Sequence, residues 1–134
     1  MIGRIPTARK LLASLVLVLA SPPAVLAASR DYAFQFVQPE VAQGADAKIA
    51  VRLVDKRTGD AVPDAVIFAT RLDMAPDGME AMTTSVEALP STEAGIYSFK
   101  VDLSMEGGWR LKLAAKVQGE LETVQGELIL RVTP

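Results

Sequence analysis

The 134-residue chain contains no cysteine and no histidine, and it contains no asparagine. Without Cys there are no disulfides, no Fe–S or thiolate zinc sites and no thiol nucleophile. Without His there is no imidazole base, so a Ser-His-Asp triad cannot be assembled. Without Asn there is no N-glycosylation sequon. Lys and Arg nowhere form a phosphate-binding stripe, so nucleic acid is not an expected partner. The length allows one small domain.

What is present begins with a leader. Arg4, Arg9 and Lys10 make a basic n-region, and residues 11–20 (LLASLVLVLA) an apolar one. Pro22 and Pro23 follow, then Val25-Leu26-Ala27. This pattern predicts a cleavable signal peptide over 1–27, cut after Ala27, and a periplasmic or secreted product. An uncleaved anchor is the alternative, but a membrane span needs roughly 20 apolar residues, and the two prolines interrupt the only such stretch. With no Cys there is no lipoprotein acceptor, and no Arg pair signals twin-arginine export. Three of the 14 basic residues and none of the 16 acidic ones lie in the leader, so the domain 28–134 carries a net charge of −5.

That domain reads as β throughout. Tyr32, Phe34 and Phe36 alternate with polar or small residues, as do Ile49, Val51 and Leu53. Tyr97, Phe99, Val101 and Leu103 form a third such set, and Trp109, Leu111, Leu113, Ala115 and Val117 a fourth. Val124, Leu128, Leu130 and Val132 share a face with Gly126 between them. Period-two alternation gives each strand a buried face and a wet one. Residues 65–72 (AVIFATRL) are apolar on both parities, which predicts a strand covered on both sides. Residues 86–89 make a short further strand. Gly, Pro, Ser and Asp clusters at 55–60, 90–95, 104–108 and 118–120 supply the turns. Seven strands at this spacing predict an all-β, immunoglobulin-like antiparallel β-sandwich. Trp109 is expected to anchor its core.

One connection is too long for a plain turn. Residues 73–84 (DMAPDGMEAMTT) hold Met74, Met79 and Met82, and the only other Met after the leader is Met105, in the 104–108 turn. All four are expected outside strands. In an antiparallel sandwich the two segments are separated by two strand passages, so they should share one end with the turn after the first strand. Thioether sulfur is a soft donor that selects Cu(I), and it binds without losing a proton. Met74, Met79, Met82 and Met105 are therefore the candidate metal ligands, with Asp73, Asp77, Glu80 and Glu106 close enough to favour a cation. The competing reading is packing, with Met74 and Met105 as a satellite core and Met79 and Met82 as loop filler. Sulfoxide-based oxidant sensing is a third. Asp55, Asp60 and Asp64 do not match a calcium loop and are expected to serve the turn. Asp73 and Asp77 would work as an acid–base pair only inside a walled cleft. Ser85, Ser91 and Ser104 have no base in any motif, and no catalytic activity is expected.

The order of short motifs carries a family resemblance. Met74, Met79 and Met82 follow the third predicted strand; then come Gly95-Ile96-Tyr97, Val101 to Met105, and Gly107-Gly108-Trp109. Thr58 to Val66 (TGDAVPDAV) is similar to the opening of many such sandwiches. Over 28–134 the chain resembles the YtkA-like/FixH-like family of small exported or membrane-tethered bacterial domains. The resemblance implies a β-sandwich with a part in copper handling, near heavy-metal efflux, metal homeostasis or oxidase assembly, with components of those systems as partners. It also leaves open a metal-free protein-interaction module, accessory to an envelope transporter or complex.

Overall fold

The computed structural model describes Gly3 and residues 29–134. The expected leader and its cleavage point lie outside the described residues. Nine strands follow: β1 (Tyr32–Phe36), β2 (Glu40–Ala42), β3 (Gly44–Asp55), β4 (Val66–Met74), β5 (Met79–Thr84), β6 (Val86–Leu89), β7 (Ile96–Leu103), β8 (Gly107–Lys116) and β9 (Val124–Thr133). They form two sheets, ordered β1-β3-β7-β6 and β2-β9-β8-β4-β5. The protein is an all-β, immunoglobulin-like sandwich, as the alternation predicts.

The alternating residues meet between the sheets. Val51, Leu53, Leu72, Leu103, Leu111 and Leu130 are completely buried, and Trp109 is 1% exposed. Removing such side chains from water stabilises the fold by roughly 1.5–3 kcal/mol each. Gly126 sits on the inner face of β9, where a Cβ would collide with the Phe34 ring from the opposite sheet. The gap in the β9 apolar pattern is thus the seat of an aromatic ring.

Three expectations need correction. The seven predicted strands are nine. β2 is too short and polar to show a period, and it joins β9 in parallel, the one parallel strand pairing among the described residues. β5 is a strand where a loop was expected: it pairs with β4 through Leu72–Thr84 and Asp73–Thr83. It then passes through Ser85 directly into β6, in the other sheet. Lastly, the first half of β4 is not covered on both sides. A register shift between Ile67 and Ala69 leaves Val66 61% and Phe68 54% exposed.

Candidate functional site

The site is built at the end of β4. Leu72 and Met74 point into the core and are fully buried, while Asp73 between them faces the outer side of its sheet. Asp73 Oδ1 accepts the Ala75 N–H at 3.0 Å. That bond starts a single 3-10 turn, Ala75–Asp77, which Pro76 favours near its start and which closes on Gly78 in the left-handed region. The chain reverses, and Met79 returns opposite Met74, with a register shift between that pair and Asp73–Thr83. Met82, further along β5, packs half-buried against the core.

The 104–108 turn closes on this hairpin. Gly108 N–H donates to Asp77 Oδ2 at 3.1 Å, and Trp109 Nε1–H donates to the Met105 carbonyl at 3.1 Å. Gly107 has φ of 130°. A Cβ there would collide with the Asp77 carboxylate and lie 3.1 Å from the Met74 methyl. Gln43, after β2, donates its Nε2–H to the Ser104 carbonyl at 2.7 Å. The three segments therefore share one end, as strand counting predicts. The four methionines do not all lie in loops, however. Met74 ends β4, and Met79 and Met82 belong to β5; Met105 alone is in a turn. Met74 is fully buried, whereas Met79 and Met105 are each 37% exposed.

Charge around the hairpin is arranged differently from the expected anionic ring. The buried Asp73 carboxylate accepts from Arg71 Nε and from Arg110 Nη2, each at 2.9 Å. Burial by itself would raise its pKa. The Arg110, Ala75 and Arg71 hydrogen bonds outweigh burial and hold the carboxyl below its ordinary value of 3.8. Asp73 is thus an ionised, fully paired structural group and no proton donor. Asp77 holds Gly108, so the two do not form an acid–base pair. Arg71 Nη2 also donates to the Glu80 carbonyl at 3.0 Å, and Arg110 Nη2 to Glu80 Oε1 at 3.3 Å. These two arginines clamp β5 to the sheet. Sequence reasoning missed them; the signal was Arg71 two residues before Asp73, on one strand face.

The remaining motif residues are structural. The Tyr97 hydroxyl donates to the Val62 carbonyl at 2.7 Å and accepts the Ala65 N–H at 3.0 Å. It pins a Pro63-Asp64 turn in which Asp64 has φ of 58°. A Cβ on Gly95, at φ of 80°, would collide with Ala61. The spacing Gly-x-Tyr therefore fastens the β3–β4 connection. At the same end Arg57 bridges Asp55 at 3.1 Å and Glu120 at 3.4 Å. Burial and the Glu120 carboxylate push the Tyr32 phenol up to about 12. Asp55, Asp60 and Asp64 serve turns. Among the described residues no three His, Cys, Asp or Glu side chains converge on a metal-sized space. No helix among them is long and apolar enough to cross a membrane.

Comparison with known proteins adds a family. The model of a family described as YtkA-like matches residues 26–114. No protein of curated function matches the chain. Among solved structures, the Lin-41 filamin domain is 21% identical, with 78% of this chain and 94% of that one covered at a TM-score of 0.48. The ZirS C-terminal domain is 13% identical, covering 100% and 84% at 0.42. A conjugative transposon lipoprotein from Bacteroides eggerthii DSM 20697 is 14% identical, covering 76% and 98% at 0.34.

Proposed function

The chain belongs to the YtkA-like family, and on that premise we propose that it is an exported, non-enzymatic accessory domain that binds and hands over Cu(I). Met74, Met79, Met82 and Met105 are its ligands, and copper or heavy-metal efflux, metal homeostasis or oxidase assembly, the last a FixH-like role, is its setting. The observation that supports this reading is the docking of the Met105 turn on the Met74–Met79 hairpin through Asp77 and Gly108. It gathers every methionine after the leader at one end of a chain with no imidazole or thiolate. The donors are graded in exposure. Met79 and Met105 offer accessible thioethers, and Met82 and Met74 lie progressively deeper. A soft cation fits such neutral sulfur donors. Glu80 and Glu106 at the surface would favour its approach, whereas Asp73 is already balanced by two guanidinium groups.

A Cu(I) competition titration on the purified protein tests the reading. Met→Leu conserves volume and costs under about 1.5 kcal/mol in a core, so the fold should survive. Met79→Leu with Met105→Leu is expected to abolish measurable Cu(I) binding, while the unfolding midpoint barely moves. If the parent chain competes for Cu(I) no better than the variant lacking all four thioethers, copper handling is excluded.

A second reading rests on the complete burial of Met74 and the core contacts of Met82. In it these two are packing groups, and the end of the sandwich is the contact surface of a metal-free interaction module, accessory to an envelope transporter. It predicts no Cu(I) affinity, and a partner whose capture fails when Met79 and Met105 become charged.

A further inference from the structure

The outer face of the β2-β9-β8-β4-β5 sheet has a charge opposite to that of the rest of the domain. Strand alternation places Arg71, Arg110, Lys112, Lys116 and Arg131 on it. The acids there are Asp73, Glu80, Glu127 and Glu40, which lies beside Arg131, leaving the face at +1 within a domain of −5. Asp73 is taken by Arg71 and Arg110, and Glu127 reaches Arg110 at 3.6 Å. Among the described residues, neither Lys112 nor Lys116 meets a carboxylate. Lys112 lies directly opposite Arg71 on β4 and Glu127 on β9, and the like charge of Arg71 across the strand pair destabilises the sheet. Lys116 leans over the exposed Phe68 ring, 5.9 Å from its centroid.

Beside Lys112 the surface sinks. Ala114 on β8 faces Ala69 on β4, and these small side chains floor a shallow depression rimmed by Arg71, Lys112, Gln125 and Glu127. Lys112 and Lys116 are four residues apart on a strand, about 13 Å between Cα atoms. An extended peptide repeats the same spacing between side chains i and i+4.

We propose that this face docks an extended acidic segment of a partner protein. Two carboxylates four residues apart meet Lys112 and Lys116, and the apolar side chain midway between them settles over Ala69 and Ala114 against Phe68. Charge complementarity selects the acid, and the floor selects the small apolar centre. A second copy of the chain carries most of its acid elsewhere than on this face, and such a heterologous contact would propagate instead of closing. No methionine lies on the face, so the proposal stands or falls apart from copper binding.

The test uses the full chain and the capped pentapeptide Glu-Thr-Val-Thr-Glu, with Lys-Thr-Val-Thr-Lys as control. Amide NMR shifts are expected at Ala69, Ala114 and Gln125 with the acidic peptide alone. The affinity should fall roughly tenfold in the Lys112→Glu, Lys116→Glu variant and with added salt. Circular dichroism checks that the variant folds. Equal affinity in the charge-reversed variant, or equal shifts with the lysine control, overturns the proposal. Inorganic phosphate moving the same amides equally at matched charge reduces the face to a plain ionic patch. Self-association of the parent chain that the substitutions abolish makes the occupant a second copy. Either result also overturns it.

Discussion

Trp109→Ala is expected to cost about 3–5 kcal/mol of folding free energy. That is a large share of the roughly 5–15 kcal/mol that holds a domain of this size together. Trp109 is 1% exposed and is the largest of the fully buried side chains. Its truncation leaves a cavity between two β-sheets that relax little. Trp109→Phe separates packing from hydrogen bonding. The ring remains, but the Met105 carbonyl loses the indole N–H that holds its turn, a loss of about 1 kcal/mol. Urea unfolding followed by circular dichroism reads both, since the chain's one Trp is itself replaced. An Ala variant within about 1 kcal/mol of the parent would show that Trp109 is not the anchor of the core. The Phe variant carries a second consequence: a loosened turn should weaken the part of Cu(I) binding that depends on Met105 while leaving that of Met79.

Arg110→Leu has the second large effect, and the effect depends on pH. Asp73 is fully buried and ionised, with Arg110 and Arg71 as its guanidinium partners. Taking Arg110 away leaves a buried carboxylate short of a charge-assisted hydrogen bond, at a cost of about 2–3 kcal/mol. The lost contacts of Arg110 with the exposed Glu80 and Glu127 add little. The pKa of Asp73 is lower in the folded state than its ordinary 3.8. Its contribution to stability is therefore complete above that value and is lost as the pH falls through the folded one. In the variant the folded pKa rises, because burial is less opposed. The stability gap between parent and variant should be widest at neutral pH and shrink below about pH 4, where a protonated Asp73 needs no guanidinium. Denaturant unfolding across that range measures it. A gap that stays constant down to about pH 2 would mean that Asp73 is not the group left unpaired.

Several parts of the site were legible without coordinates. Counting strand passages put the 73–84 segment and the 104–108 turn at one end, and the Asp77–Gly108 hydrogen bond joins them across 31 positions of chain. Parity put Trp109 in the core. The signal failed where two strands had to be known together. β5 carries Met, Glu, Ala and Thr with no period, and it is a strand because β4 offers it an edge. Arg110 finds Asp73 because β8 lies beside β4 in a register that makes the two residues direct partners. A search along the chain sees neither.

The sequence by itself determined the all-β class, the inward faces of β1, β3, β7, β8 and β9, and the chemistry that absent Cys, His and Asn exclude. These follow from local rules: side chains alternate every two residues, and a missing functional group is missing in any fold. Only the tertiary structure decided that Met74 is buried while Met79 and Met105 reach solvent, that Asp73 is held by two arginines, and that Phe68 and Lys116 lie open on an outer face. Burial of a strand's second side and pairing of its charges depend on which strand lies next to it, and that neighbour is set by contacts far apart in the chain.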